Sequence, residues 1–106
     1  TAVLVDIRDF RERVEQGVIP GSISAPRGML EFWFDPESPY HQERYTLDGR
    51  YIFHCASGWR SALAAKAITE IGFTNVAHLD SGFTGWVEEG YPVEDISATS
   101  KWIKRP

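Results

Sequence analysis

One cysteine stands in the 106-residue chain, within the stretch 54-HCASGWRSALAAKAI-68. The apolar run 51-YIFH ends at it, and a run with the composition of a helix follows. Small side chains at Ala56 and Ser57 let backbone N–H groups turn inward, and Gly58 permits a tight curve. A loop of converging N–H groups that opens a helix is an anion site, through unpaired donors and the helix dipole. Arg60 adds a full positive charge in the first turn. The same features favour thiolate over thiol: a free cysteine titrates near ~8.5, and helix N-termini or cations lower that into the range of about 3.5–7.5. The loop therefore predicts Cys55 as a nucleophile, seated in a cradle for an anionic sulfur or an oxyanion attached to it. A buried, inert cysteine would need neither the small-residue loop nor the arginine. Ser61, in the first turn, either caps the helix or reaches the anion.

Other chemistry-bearing residues are less committed. Trp59 is too bulky to fold inward among the amides; it lies at the pocket rim, shaping access, or packs on a neighbouring helix. Trp86 is predicted to pack in the core. His54 reads as a strand residue or as a group tuning Cys55. His41 and His78 have no cysteine or histidine partner at ligand spacing, so no metal site is expected. No phosphate-binding loop of the P-loop or dinucleotide type exists, and no cofactor is implied. Glu88 and Glu89 lie on a solvated helix face. The aromatic insert 32-FWFDPESPYHQERY-45 is either a lid or docking surface, or a mini-core that fastens the long loop to the sheet.

The elements that must position Cys55 follow from periodicity. The run 2-AVLVD-6 has the pattern of a strand buried on both faces. The stretch 9-DFRERVEQG-17 predicts a helix capped by Asp9 and stopped by Gly17. A brief strand 22-SISAP-26 follows the turn 20-PG-21, then one or two helical turns over 28–35 and a loop over 36–49. Strand 51–55 and helix 60–72 are the clearest signals, the helix carrying an apolar stripe of Leu63, Ala64, Ala67, Ile68 and Ile71 and ending at Gly72. Strand 75–80, a short helix over 83–90 and an extended or irregular segment from 91 to 106 complete the chain. Strands alternating with helices predict an α/β fold, a mainly parallel sheet with helices on both faces, and Cys55 beyond a strand's carboxyl end.

A net charge of −4 and a pI near 5.3, without a basic cluster, argue against a nucleic-acid surface. The cations of 101-KWIKRP read as a solvated tail. No run of 18 apolar residues could span a membrane. One cysteine cannot form an internal disulfide, which favours a reducing compartment and a cytoplasmic location. The chain opens on 2-AVLV as though entering a fold already in progress, so residues upstream are expected to be missing.

Three segments resemble the rhodanese-like sulfurtransferases. The first, 4-LVDIRDFRERVEQGVIPGSISAP-26, is similar to the family's Asp-x-Arg and Gly-His-Ile-Pro-Gly-Ala opening. The others are the loop and helix 54-HCASGWRSALAAKAITEIGFTNV-76 and the closing 79-LDSGFTGWVEEGYPV-93. The resemblance implies a rhodanese-like three-layer sandwich with a central sheet of about four to five strands, one domain over 1–106 lacking the family's N-terminal strand and helix. It implies that Cys55 accepts a sulfane sulfur from a small anionic donor such as thiosulfate, forming a persulfide. A thiol or protein acceptor would then take the sulfur. Ala56, Ser57, Gly58, Trp59, Arg60 and Ser61 would form the binding loop, with Asp6 and Arg8 pairing to position it. A monomer or weak homodimer is expected. Val18 replaces the usual His, and Ser81 the first glycine of a Gly-Gly pair. A non-catalytic persulfide carrier or binding module is the alternative of another class. A Cys-dependent phosphatase or arsenate reductase is disfavoured, because Cys55 to Arg60 is Cys-x4-Arg and the resembling phosphatases have Cys-x5-Arg.

Overall fold

The computed structural model describes residues 1–97; the basic run 101-KWIKRP lies outside the described residues. Strands β1 (Val3–Asp6), β2 (Ile23–Ser24), β3 (Arg50–His54) and β4 (Asn75–His78) alternate with helices α1 (Phe10–Gln16), α2 (Leu30–Phe34), α3 (Trp59–Ile71) and α4 (Gly82–Glu88). A 3-10 turn, Arg27–Met29, leads into α2. The four strands form one sheet in the order β2-β1-β3-β4, with every pair parallel. Among the described residues no helix is long and apolar enough to cross a membrane.

Side chains alternate across a strand, so register decides which residues share a face. Val5 lies opposite Phe53 and Asp6 opposite His54. On the Val5 face the core gathers Val5, Phe53, Leu30, Phe34, Ala64 and Ile68, so α2 and α3 cover this side. On the Asp6 face, Arg13 of α1 reaches Asp6 and Phe83 of α4 lies under Arg8, so these helices cover the other. The expected layering holds. Its sequence cause is a short apolar strand with a single carboxylate facing away from the hydrocarbon.

Local chemistry sets the helix ends. Asp9 accepts the amide of Glu12 while Glu12 accepts the amide of Asp9, a reciprocal box that closes the first turn of α1. Gly72 stops α3 at a positive φ of 123°. The face of α3 differs from the expected stripe. Ser61, Ala64 and Ile68 are buried, whereas Leu63 is 64% exposed. The helix is rotated so that Ser61 meets the sulfur, which turns Leu63 into solvent.

The aromatic insert divides. Phe34 stacks on Tyr45 with centroids 3.9 Å apart and packs against Phe53 and Phe73, so both rings enter the main core. His41 Nδ1 contacts the Trp33 carbonyl at 3.0 Å, and Phe32 and Tyr40 stay exposed, edge to face. This is the loop-fastening alternative, achieved with the domain's own core.

Candidate active site

Strand order changes direction between β1 and β3: from β1 the chain goes on to β2, and from β3 to β4 on the opposite side. Outside the carboxyl ends of such neighbours a crevice opens, and ligands bind there in sheets of this kind. Cys55 is the first residue beyond β3.

Its sulfur is gathered into the loop. The amide of Gly58 donates to Cys55 Sγ at 3.2 Å and that of Ser61 at 3.4 Å, with Ser61 Oγ 3.6 Å away. Burial pushes the thiol's pKa up; the Ser61 hydroxyl and the amides of Ser61, Gly58 and Ser57 outweigh it and hold the group below its ordinary value. The sulfur is buried, and the amide hydrogens face it. Such an arrangement stabilises negative charge on the sulfur and on anything bonded to it.

The amides can face inward because the carbonyls are held elsewhere. Phe83 N–H donates to the Cys55 carbonyl at 2.8 Å, and Thr84 N–H to the Ala56 carbonyl at 2.9 Å. Two glycines allow the approach. A Cβ on Gly58, at φ 99°, would run into the Asp80 carbonyl, and one on Gly82, at φ 62°, would lie 2.6 Å from the Ala56 oxygen. Ser81 has an ordinary helical φ of −92°, so serine in place of the first glycine costs the turn nothing.

Arg60, expected to help hold the anion, is engaged by a carboxylate. Its guanidinium makes a two-pronged bond to Glu12, at 2.8 and 2.9 Å, and among the described residues it donates no hydrogen bond to the sulfur. That bond pulls the Glu12 carboxyl below the usual range and raises Arg60. Glu12 is thus a member of the site that the loop alone does not announce. Its spacing three residues from Asp9, a capping signature, is the sequence signal that points to it.

Asp6 and Arg8 are fully buried, paired at 2.8 Å, and joined by Arg13 at 2.8 Å to the same carboxylate oxygen. Arg8 also donates to the Gly17 carbonyl at 2.8 Å and stacks its guanidinium 4.1 Å from the Phe83 ring. The pair therefore touches the loop through Phe83, whose amide holds Cys55. Burial raises the Asp6 carboxyl, but the side-chain hydrogen bond from Arg8, helped by the charge and the amide of Arg8, prevails and keeps it low. Sequence reasoning misses Arg13, since a cation on a polar-looking helix gives no sign of facing inward.

His54 stands in the strand, buried on the Asp6 face; burial lowers its pKa, keeping the ring neutral. Trp59 is 82% exposed, so of its two readings packing on a helix is excluded. Trp86 does not enter the core: it is half-buried, donating from Nε1 to the Pro92 carbonyl at 2.7 Å beside Tyr91. Val18 is buried and pairs through its backbone with Glu94, a packing position rather than a chemical one. His78 lies 3.2 Å by Nδ1 from Ser61 Oγ, a contact invisible to any test of metal-ligand spacing.

A groove of about 220 Å³ runs beside α4, lined by Leu79, Trp86 and Tyr91 with Asp80 and Glu89. It does not include Cys55, and its charged residues are both acidic, the wrong sign for an anion.

The family model described as "Rhodanese-like domain" matches residues 1–89. Thiosulfate sulfurtransferase GlpE of Glaesserella parasuis is 33% identical over 93 residues, covering 88% of this chain and 78% of that protein. The mouse thiosulfate sulfurtransferase/rhodanese-like domain-containing protein 3 is 32% identical over 80% of this chain, which spans only 57% of its length. Among solved structures, a Rhodopseudomonas palustris protein described as of unknown function and a possible tyrosine phosphatase is 52% identical. It superposes with a TM-score of 0.84 over 88% of this chain and 70% of that one. Human single-domain sulfurtransferase TSTD1 is 26% identical with a TM-score of 0.71, over 83% and 82%.

Proposed function

This chain belongs to the rhodanese-like domain family, and from that premise we propose that it transfers sulfane sulfur through a persulfide on Cys55. The Cys55 thiolate attacks the outer sulfur of a small anionic donor such as thiosulfate. A sulfur–sulfur bond forms to Cys55 as the donor's own sulfur–sulfur bond breaks, and sulfite leaves with the electron pair. The persulfide carries its charge on the terminal sulfur, within reach of the amide cradle. An acceptor nucleophile, cyanide in an assay or a thiol in a cell, then takes that sulfur and returns the Cys55 thiolate.

The observation that carries this reading is the pair of amides, Gly58 and Ser61, aimed at one sulfur atom. Both donors are fixed before any substrate arrives, so charge developing there meets no reorganisation cost. Incubation with thiosulfate followed by intact mass measurement tests it: one added sulfur is expected in the parent and none in Cys55→Ser. A parent protein that gains no mass would refute it.

Similarity to the Rhodopseudomonas protein, a possible tyrosine phosphatase, favours a second reading, hydrolysis of a phosphate ester. Against it stand the Cys-x4-Arg loop, one residue shorter than in the resembling phosphatases, and the engagement of Arg60 by Glu12. Turnover of an aryl phosphate with no persulfide formed would reverse the preference.

A further inference from the structure

The last residue of β4 faces the reactive loop from a side the proposed reaction has not used. His78 is the register partner of Phe53, so its ring lies on the α3 side of the sheet, where Ser61 projects. Its Nδ1 is 3.2 Å from Ser61 Oγ, which in turn is 3.2 Å from the Gly58 carbonyl and 3.6 Å from Cys55 Sγ.

The Ser61 hydroxyl has one proton and three neighbours. The Gly58 carbonyl only accepts. The sulfur donates as thiol and accepts as thiolate. An imidazole nitrogen accepts when bare and donates when protonated. If Nδ1 is bare, it draws the hydroxyl proton away from the loop and leaves Ser61 an acceptor for a neutral thiol. If Nδ1 carries a proton, it donates to Oγ, and the hydroxyl proton is free for the sulfur or for the Gly58 carbonyl, the thiolate being the charged and stronger acceptor. One tautomer of His78 supports Cys55–SH and the other Cys55–S⁻.

We propose that His78 is a positioning residue for Cys55: an Nδ1–H donated to Ser61 turns the serine hydroxyl onto the sulfur and holds it as thiolate. The role rests on the sulfur-transfer reading only in so far as that chemistry needs the thiolate. No bond to carbon or sulfur is made or broken in it; the protons of His78 and Ser61 stay on their own atoms, and only the direction of two hydrogen bonds is set. Of the charged groups near the loop, Asp6 is taken by Arg8 and Arg13, and Glu12 by Arg60. Asp80, two residues on from His78, has its backbone carbonyl against Gly58 of the loop; the side-chain contact of His78 runs to Ser61, which in turn meets Cys55.

The test is the pH profile of Cys55 alkylation by iodoacetamide in the parent, His78→Leu, His78→Asn, Ser61→Ala and the His78→Leu/Ser61→Ala double variant. His78→Leu is expected to move the midpoint up by as much as about one pH unit, which slows alkylation at neutral pH about tenfold. Asparagine places an amide N–H where Nδ1 stood and restores most of the loss. In the Ser61→Ala background His78→Leu adds nothing, since the path runs through the hydroxyl. A His78→Leu profile superposed on the parent's overturns the proposal; so does a full His78→Leu shift without Ser61, or an asparagine variant no better than leucine. Should the leucine variant not fold, ¹⁵N spectra of the parent decide. Alkylating Cys55 must displace the His78 Nδ1 resonance and leave His41 in place, and an unmoved His78 signal is refuting. None of these readouts uses a sulfur donor, so they stand or fall separately from persulfide formation.

Discussion

The backbone amide of Phe83 binds the carbonyl of Cys55 at 2.8 Å, tying the first turn of α4 to the residue that bears the sulfur. The contact divides the loop's polar groups: carbonyls go to α4, and amides are left for the anion. Its permission is Gly82, at φ 62°, where an added Cβ would lie 2.6 Å from the Ala56 oxygen. Gly82→Ala is therefore expected to displace the loop, with a stability loss of about 1–3 kcal/mol from forcing a side chain into that backbone region. Sulfur transfer should fall by more than the stability loss explains. Urea unfolding beside a thiosulfate–cyanide assay measures both, and full activity in the alanine variant would contradict the division of labour.

Glu12 restrains Arg60, the cation in the first turn after the loop. Because glutamine at position 12 can still complete the helix-capping box with Asp9, Glu12→Gln removes charge while keeping α1. Arg60, freed from a two-pronged ion pair, then faces the anion site with its charge unshared. KM for thiosulfate is expected to fall several-fold, and more at low ionic strength than at high. Steady-state kinetics at two salt concentrations check this; an unchanged or higher KM would mean that Arg60 takes no part in donor binding.

Much of this site is legible in the sequence, and what is not has a physical cause. The strand ending at Cys55, the glycine at 58 and the helix after it follow from composition and period, so the cradle can be drawn from residues 51 to 72. Asp9 and Gly17 likewise announce the ends of α1. Contacts that depend on tertiary rotation are hidden. Leu63 looks like a core residue because it fits an apolar stripe, but the sulfur's need for Ser61 fixes a different face of α3. Arg13, Glu12 and His78 each pair across the fold with residues distant in sequence or on another face. Trp86 carries the largest apolar side chain, yet its indole N–H needs a partner and finds it at the surface, on the Pro92 carbonyl.

The thiol's lowered pKa has a sign that can be followed into stability. Folded Cys55 holds its thiolate below the value of an unfolded cysteine, about 8.5. The stabilisation is fully present above that unfolded value and is lost as pH falls through the folded one. Comparing parent with Cys55→Ala by urea unfolding from neutral to alkaline pH should therefore show the difference growing with pH in the parent's favour. Alkylation of the parent should have its midpoint below that of free cysteine. A flat difference across the range would mean that the amides do not favour the charged form.

On the opposite face, Asp6 is the only carboxylate among the described residues that pairs with Arg8 and Arg13, and two of these three side chains are wholly buried. Asp6→Asn leaves both guanidiniums without their countercharge, and removing one partner of a buried pair costs about 3–5 kcal/mol. Total stabilities of small domains are about 5–15 kcal/mol, so the variant should be marginal. The folded carboxyl is held below its unfolded value of about 3.9, so its stabilisation is present above that pH and lost as pH falls through the folded pKa. His54 acts earlier in the same direction: burial keeps it neutral, and below its unfolded value of about 6.5 unfolding takes up its proton. Acid titration of the parent should thus weaken the fold in two steps, a first from His54 and a second from Asp6, and Asp6→Asn should lose the second while starting lower throughout. Because Arg8 packs on Phe83 and Phe83 holds Cys55, the variant's residual folded fraction should also alkylate more slowly at neutral pH. Normal stability in Asp6→Asn would show that the arginines find other partners, and that the buried pair does not anchor the loop.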